Sequence, residues 1–148
     1  MRIIIDDDQN PGDKLTKLME RAAELALSHE GIDHEGCEVS LSFVTAEEMR
    51  ALNAEYRGVD EATDVLSFPM YESTAKISKN PLTLLGDVVI CMEVAEKQAE
   101  EIGQSVDREL LYLFVHSVFH LLGYDHKDED GKRTMRAAEE EVLGELLR

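Results

Sequence analysis

The pattern of apolar and polar residues along the chain predicts strands and amphipathic helices in alternation. Residues 2–5 and 84–91 are mostly apolar, and apolar residues alternate with polar ones through 37–43, which is typical of strands. A fourth strand is predicted for 65–69, at a sheet edge, because Pro69 cannot donate a backbone hydrogen bond. Apolar residues spaced by three and four predict helices at 13–29, 46–57, 93–102 and 106–122, and a final helix that reaches Arg148.

Local signals refine this pattern at three places. Thr45 and Glu48 have the spacing of a capping box that opens a helix, and Gly58 ends the same helix. Gly86 is unusual inside an apolar strand unless backbone or ligand approaches it closely. Residues 70–83 have no clear period, so we interpret them as a long surface loop.

Length and composition indicate one domain spanning residues 1–148, with four predicted strands and five helices. The chain opens without a signal-peptide pattern, and no apolar stretch approaches the roughly 20 residues of a membrane span. Cys37 and Cys91 are far apart and lack ligand spacing. We therefore expect a cytoplasmic protein with two buried thiols and no membrane partner.

The formal net charge of −17 argues against a protein that binds nucleic acid or anionic membranes by charge alone. The charge is not uniform, however. Lys127, Lys132, Arg133 and Arg136 follow one another closely near the C-terminal end. This part of the surface is therefore expected to be less negative than the whole.

The most apolar predicted helix contains one polar stripe. Tyr112, His116 and His120 recur every four residues and so lie along one face. Gly123 follows, where a left-handed residue often ends a helix, and the turn it permits brings His126 toward the other imidazoles. Three nitrogen ligands leave one tetrahedral position open, which is typical of catalytic zinc, although nickel, copper or iron would accept the same ligands. We therefore predict one zinc ion per chain, bound by His116, His120 and His126.

The alternative is that each histidine fills a buried position and bonds to the backbone. Two imidazoles on one apolar helix are costly to bury unless both are satisfied, and a metal satisfies both at once. The spacing also matches the metzincin peptidase pattern His-Glu-x-x-His-x-x-Gly-x-x-His, in which the glutamate is the general base. Ser117 takes the place of that glutamate and cannot accept a proton near neutral pH. This difference argues against a peptidase.

A hydrolase without that glutamate can use water bound to zinc, since the metal lowers the pKa of the water to about 7. Such a site favours a substrate whose charge is stabilised by cations, for example a phosphodiester. Asp125, beside His126, is a candidate for the proton acceptor or for a hydrogen-bond partner of an imidazole. A plain turn residue is the alternative for Asp125, and Asp64 is a further candidate acceptor.

Three blocks of the sequence resemble the YbeY family of endoribonucleases and ribosomal RNA maturation factors. They are 52–58 continued by 63–69, then 85–91, and finally His116-Ser-Val-Phe-His120-Leu-Leu-Gly-Tyr-Asp-His126, where many members have glycine in place of the serine. The resemblance implies an α/β (α+β) fold with helices around a small mixed sheet and a zincin-like histidine-rich helix and turn in a cleft. It also implies that the three histidines bind zinc.

The resemblance gives Arg57 a role in activity, because it matches an arginine of the family that is implicated there. A guanidinium suits a phosphate and the charge that develops on it, and a charge placed at a helix C-terminus is the alternative. The implied activity is cleavage of single-stranded ribosomal RNA, especially at the 3′ end of the small-subunit 16S species, with zinc-bound water attacking the phosphodiester. Arg57, His116 and Asp125 are the predicted catalytic residues.

The acidic composition bears on how the protein is expected to be recruited to ribosomal RNA. Either a locally basic cleft containing Arg57 or recruitment through a basic ribosomal protein, on the small ribosomal subunit, reconciles the net charge of −17 with an RNA substrate. The second is favoured, because an acidic body is steered toward a basic partner and repelled by bare RNA. Two other hypotheses stay open at this point. One is a ribosome assembly factor with a mainly structural metal and little cleavage, and the other is a metalloprotease.

Overall fold

Four strands form one mixed sheet in the computed structural model, which describes residues 1–77 and 82–147. The strands are β1 (Arg2–Ile4), β2 (Cys37–Val44), β3 (Val65–Pro69) and β4 (Thr83–Cys91). Their order across the sheet is β1-β2-β4-β3. The pairs β1–β2 and β2–β4 are parallel, whereas β3 and β4 are antiparallel. The mixed sheet is thus confirmed, and β3 lies at its edge as predicted.

The same described residues contain five α-helices: α1 (Asp13–His29), α2 (Ala46–Arg57), α3 (Met92–Ile102), α4 (Val106–Leu121) and α5 (Glu129–Leu146). The final helix was predicted to reach Arg148, which lies outside the described residues. Within the predicted loop at 70–83, Thr74–Lys76 forms a short 3-10 turn, and residues 78–81 also lie outside the described part. None of the helices in the described ranges combines the length and apolarity needed to cross a membrane.

The two ends of α2 are fixed by the residues that the sequence singled out. The Thr45 hydroxyl accepts a hydrogen bond from the backbone N–H of Glu48, and the Glu48 carboxylate accepts one from the backbone N–H of Thr45. Gly58 ends the helix in the left-handed region, with φ of 70°. These caps determine where the last helical residue, Arg57, projects from the fold.

Helix α4 is the centre of the core and packs against α1, α3, α5 and the strands β3 and β4. Its apolar residues are buried almost all round, and Phe114 and Phe119 are fully buried. Truncating a buried phenylalanine to alanine costs about 3–5 kcal/mol, so these two side chains anchor the helix firmly. Tyr112, His116 and His120 are only partly buried, which confirms one polar stripe on an apolar helix.

Gly86 allows α4 to approach the sheet closely near the histidines. It lies in β4 next to a register shift and has a φ of 154°, which is rare for residues with a side chain. A Cβ at this position would lie 2.4 Å from the carbonyl oxygen of Phe68 and 2.7 Å from Cδ2 of Leu121. The close backbone approach expected from the sequence is therefore present, and it brings the end of α4 against the edge strand.

Candidate metal centre

The helix α4 and the turn after it bring three histidines together. His116 and His120 lie one helical turn apart, and their Nε2 atoms are 3.2 Å from each other. The backbone N–H of Gly123 donates to the carbonyl of His120, and with a φ of 99° Gly123 turns the chain back toward the helix. His126 follows in this turn, and one ring nitrogen from each histidine lies within 4.8 Å of the other two. The cluster predicted from the spacing is thus present.

The distance between the two helical histidines fits a tetrahedral metal. Zinc–nitrogen bonds of about 2.0–2.1 Å place two ligand nitrogens about 3.3–3.4 Å apart at the tetrahedral angle. The observed 3.2 Å between Nε2 of His116 and Nε2 of His120 is close to that value. Two nitrogen lone pairs this close repel each other unless a proton or a metal ion lies between them. The residues present could therefore hold one metal ion.

The other ring nitrogen of each helical histidine is already used. Nδ1 of His116 lies 2.5 Å from Oε2 of Glu139, a residue of α5 that is 3% exposed. Nδ1 of His120 lies 2.9 Å from the backbone carbonyl oxygen of Tyr124. Because a carbonyl and a carboxylate accept, each Nδ1 carries the proton and each Nε2 keeps its lone pair for a metal.

The environment of His120 also favours the metal-binding form. Burial lowers the pKa of its imidazole, and the neighbouring imidazoles of His116 and His126 lower it further. The hydrogen bond to the Tyr124 carbonyl acts in the opposite direction but is outweighed. A lowered pKa keeps the ring neutral near pH 7, and the neutral ring is the form that binds metals.

The turn that contains His126 is tied to a distant part of the fold. The hydroxyl of Tyr124 donates a short hydrogen bond to Oε1 of Glu30, the C-cap residue directly after α1. Burial, together with this contact, raises the pKa of Tyr124 to about 12, so the phenol stays protonated and remains a donor. The ring of Tyr124 also packs edge-on against Phe119. These contacts hold the turn in place on both sides.

Ser117 stands at the sequence position of the peptidase general base but is packed inside the fold. Its side chain is fully buried, and its hydroxyl lies 2.5 Å from the hydroxyl of Ser67 on β3. The serine therefore ties α4 to the edge strand. A buried hydroxyl bonded to another serine is consistent with the prediction that the glutamate-dependent peptidase mechanism does not apply.

A cleft of about 670 Å³ opens in front of the histidines. Its walls are the C-terminal end of α2, the loop residues Thr63 and Asp64, the strand β3 and the three histidines. Arg57 is exposed in this wall, and within residues 1–77 and 82–147 its guanidinium has neither an ion-pair nor a hydrogen-bond partner. Arg50 on the same helix, by contrast, is paired with both oxygens of Asp60, at 2.8 and 2.9 Å. The cleft thus combines a candidate metal site with an available cation.

The two candidate carboxylates lie in different places. Asp64 lines the cleft, where its Oδ1 accepts hydrogen bonds from the backbone N–H of Val65 and the hydroxyl of Thr63. Asp125 is exposed, and its Oδ1 accepts from the backbone N–H of Lys127 at 3.3 Å, as a turn residue does. The carboxylate that bonds an imidazole of the cluster is that of Glu139, which sequence reasoning missed. The sequence marks Glu139 only as an acidic residue on the apolar face of the last helix.

The chain is similar over nearly its whole length to proteins named Endoribonuclease YbeY. The sequence profile of the family described as Endoribonuclease YbeY matches residues 3–147. A relative of that name from Pelotomaculum thermopropionicum is 52% identical over 132 residues, which cover 89% of this chain and 86% of the relative. Another from Alkaliphilus metalliredigens is 47% identical, with coverage of 97% and 94%. The solution structure of a Thermotoga maritima protein aligns with a TM-score of 0.62 and 29% identity, over 98% of this chain and 91% of that one.

Proposed function

Because this chain belongs to the YbeY family of endoribonucleases, which are hydrolytic enzymes, we propose that it cleaves single-stranded ribosomal RNA at a zinc ion. The proposed target is the 3′ end of the small-subunit 16S species during late ribosome assembly. The observation that supports this most is the three-histidine cluster in the wall of a cleft that also presents Arg57.

We assign zinc binding to His116, His120 and His126. Zinc bound there would supply a Lewis acid and a water molecule acidified to near neutral pH. His116 and His120 direct Nε2 into the site because Glu139 and the Tyr124 carbonyl hold Nδ1 on the other side. The orientation of both ligands is therefore set before a metal arrives.

Arg57 is proposed to bind the phosphate that is cut. Hydrolysis breaks one P–O bond to a ribose oxygen and forms one to the oxygen of water, and the released ribose oxygen takes up a proton. Negative charge grows on the phosphate oxygens during this exchange, and a guanidinium fixed near them stabilises that charge. Arg57 suits this role because its charge is not already matched by a carboxylate in the described part of the chain. Asp125 stays a predicted proton acceptor, and Asp64 is better placed for the role because it lines the cleft.

The net charge of −17 bears on how the substrate is reached. An acidic body is repelled by bare RNA at long range and attracted to basic protein surfaces. We therefore propose that a basic ribosomal protein or the small ribosomal subunit recruits the enzyme, and that the local cations act only at close range.

The test compares cleavage of single-stranded and duplex fragments of small-subunit ribosomal RNA by zinc-loaded protein. His116→Ala removes a ligand, and Arg57→Ala removes the cleft cation. Arg50→Ala is the matched control for Arg57→Ala, because both arginines lie on α2 and Arg50 is paired with Asp60. We expect cleavage of the single strand by wild type and Arg50→Ala, with loss of at least about tenfold for the other two variants.

The outcomes distinguish the hypotheses. If wild type and His116→Ala cut equally, the cleavage does not depend on this site and the proposal fails. If wild type binds zinc but cuts no RNA, an assembly factor with a structural metal becomes the better description. Turnover of a peptide substrate that requires His116 would instead revive the metalloprotease hypothesis.

A further inference from the structure

A second, smaller cavity lies on the α5 side of the histidines. Its volume is about 310 Å³, and its walls are formed by Tyr112 of α4 and by Lys132, Arg136 and Glu139 of α5, together with two histidines. Those two, His116 and His126, also line the larger cleft. The metal site therefore lies between two cavities, one toward α2 and β3 and one toward α5.

Both cavities present cations in a protein that is otherwise strongly acidic. The larger cleft has Arg57, and the smaller one has Lys132 and Arg136. The carboxylate in the smaller cavity, Glu139, is already bonded to His116 at 2.5 Å. Its charge is therefore directed at the imidazole rather than at the opening of the cavity.

The two cations of the smaller cavity can exchange their present partners for another anion. Arg136 lies 3.3 Å from Glu140, and Lys132 lies 3.7 Å from Glu129, with all four side chains more than half exposed. Exposed pairs of this kind contribute about 0–1 kcal/mol, so a phosphate replaces them at little cost. Lys132 and Arg136 are also one helical turn apart, about 6 Å along the helix axis. This distance is similar to the spacing of successive phosphates along a nucleic-acid strand.

We propose that the smaller cavity is a phosphate subsite for the RNA strand, in which Lys132 and Arg136 bind backbone phosphates beyond the one at the metal. Arg57 then contacts the strand on one side of the histidines and α5 contacts it on the other. This inference rests on the proposed nuclease function, and it adds that the strand crosses the metal site from one cavity to the other. Contacts of this kind position the strand without reading its sequence.

The experiment measures binding of a short, fluorescently labelled single-stranded RNA with hydrolysis-resistant phosphorothioate linkages. Zinc-loaded wild type is compared with Arg136→Ala and with the matched control Arg133→Ala. Both arginines are exposed residues of α5 in surface ion pairs, but only Arg136 lines the cavity. We expect Arg136→Ala to weaken binding roughly three- to tenfold at about 50 mM salt. It should also lower the slope of log affinity against log salt by about 0.7, the value for one phosphate contact with a single strand.

Arg133→Ala should leave the affinity and the slope within error of wild type, and Arg136→Lys should restore most of the slope. Equal effects of the Arg133 and Arg136 variants, or no effect of either, would overturn the subsite. Arg57→Ala separates this failure from a failure of the proposed function. If Arg57→Ala weakens binding while Arg136→Ala behaves like the control, only the subsite is wrong. If wild type itself fails to bind or cut single-stranded RNA, the proposed function is wrong.

Discussion

Replacing Glu139 with glutamine removes the charge that orients His116 and keeps the size of the side chain. The Glu139 carboxylate accepts a 2.5 Å hydrogen bond from Nδ1 of His116, and its side chain is 5% exposed. A hydrogen bond to a charged group contributes about 1.5–3 kcal/mol, which corresponds to roughly 10- to 100-fold in an equilibrium constant. Loss of a partner that orients a metal ligand lowers metal affinity by about the same factor. We therefore expect Glu139→Gln to bind zinc roughly 10- to 100-fold more weakly than wild type.

The assay for Glu139→Gln is competition for zinc with a chromophoric chelator at constant pH. The control is Glu140→Gln, which changes the next residue of α5, where the side chain is 69% exposed and faces Arg136. Urea unfolding of the zinc-free variants shows whether the change has altered stability as well as ligand orientation. Equal zinc affinities for the two variants would refute the reasoning, because they would mean that the buried hydrogen bond does not orient His116.

Three further predictions concern the fold and are measured by urea unfolding of zinc-free protein. Gly86→Ala should lower the unfolding free energy by more than about 2 kcal/mol, because its methyl group would lie 2.4 Å from the Phe68 carbonyl oxygen. Gly144→Ala, in α5 with no described atom within 4 Å of the new methyl, should raise it by about 0.5–1 kcal/mol. Similar changes at both glycines would contradict the close approach at Gly86. Thr45→Ala should lower the unfolding free energy by about 1 kcal/mol, and an unchanged value would contradict the capping box.

The histidine cluster could be predicted because its members are close in sequence. The four-residue spacing of His116 and His120 puts both on one helix face in any tertiary structure. Gly123 marks the return of the chain, so His126 was placed correctly as well. The ends of α2 were predictable for the same reason, since the contacts of Thr45 with Glu48 are local.

Glu139 could not be found by the same reasoning, because its contact depends on how α5 packs against α4. It is 23 residues from His116, and the pattern of α5 shows only that it follows the buried Ala138. Asp125 was the sequence candidate for an imidazole partner because it stands beside His126. Its carboxylate accepts instead from the backbone of Lys127. Proximity in sequence therefore predicted the three histidines of the cluster but not Glu139, which bonds one of them.

The hydrogen bond between Tyr124 and Glu30 has a consequence for the stability of a distant helix. Tyr124 belongs to the turn that contains His126, whereas Glu30 caps the C-terminal end of α1, far away in the sequence. A ligand that binds only the folded state stabilises it by about 2.7 kcal/mol at 100 times its dissociation constant. Zinc binding should therefore slow hydrogen exchange at the C-terminal amides of α1, although the proposed ligands lie on α4 and in the following turn. The Tyr124–Glu30 hydrogen bond thus joins the turn of the candidate metal site to the N-terminal helix, so we expect metal binding at one to stabilise the other.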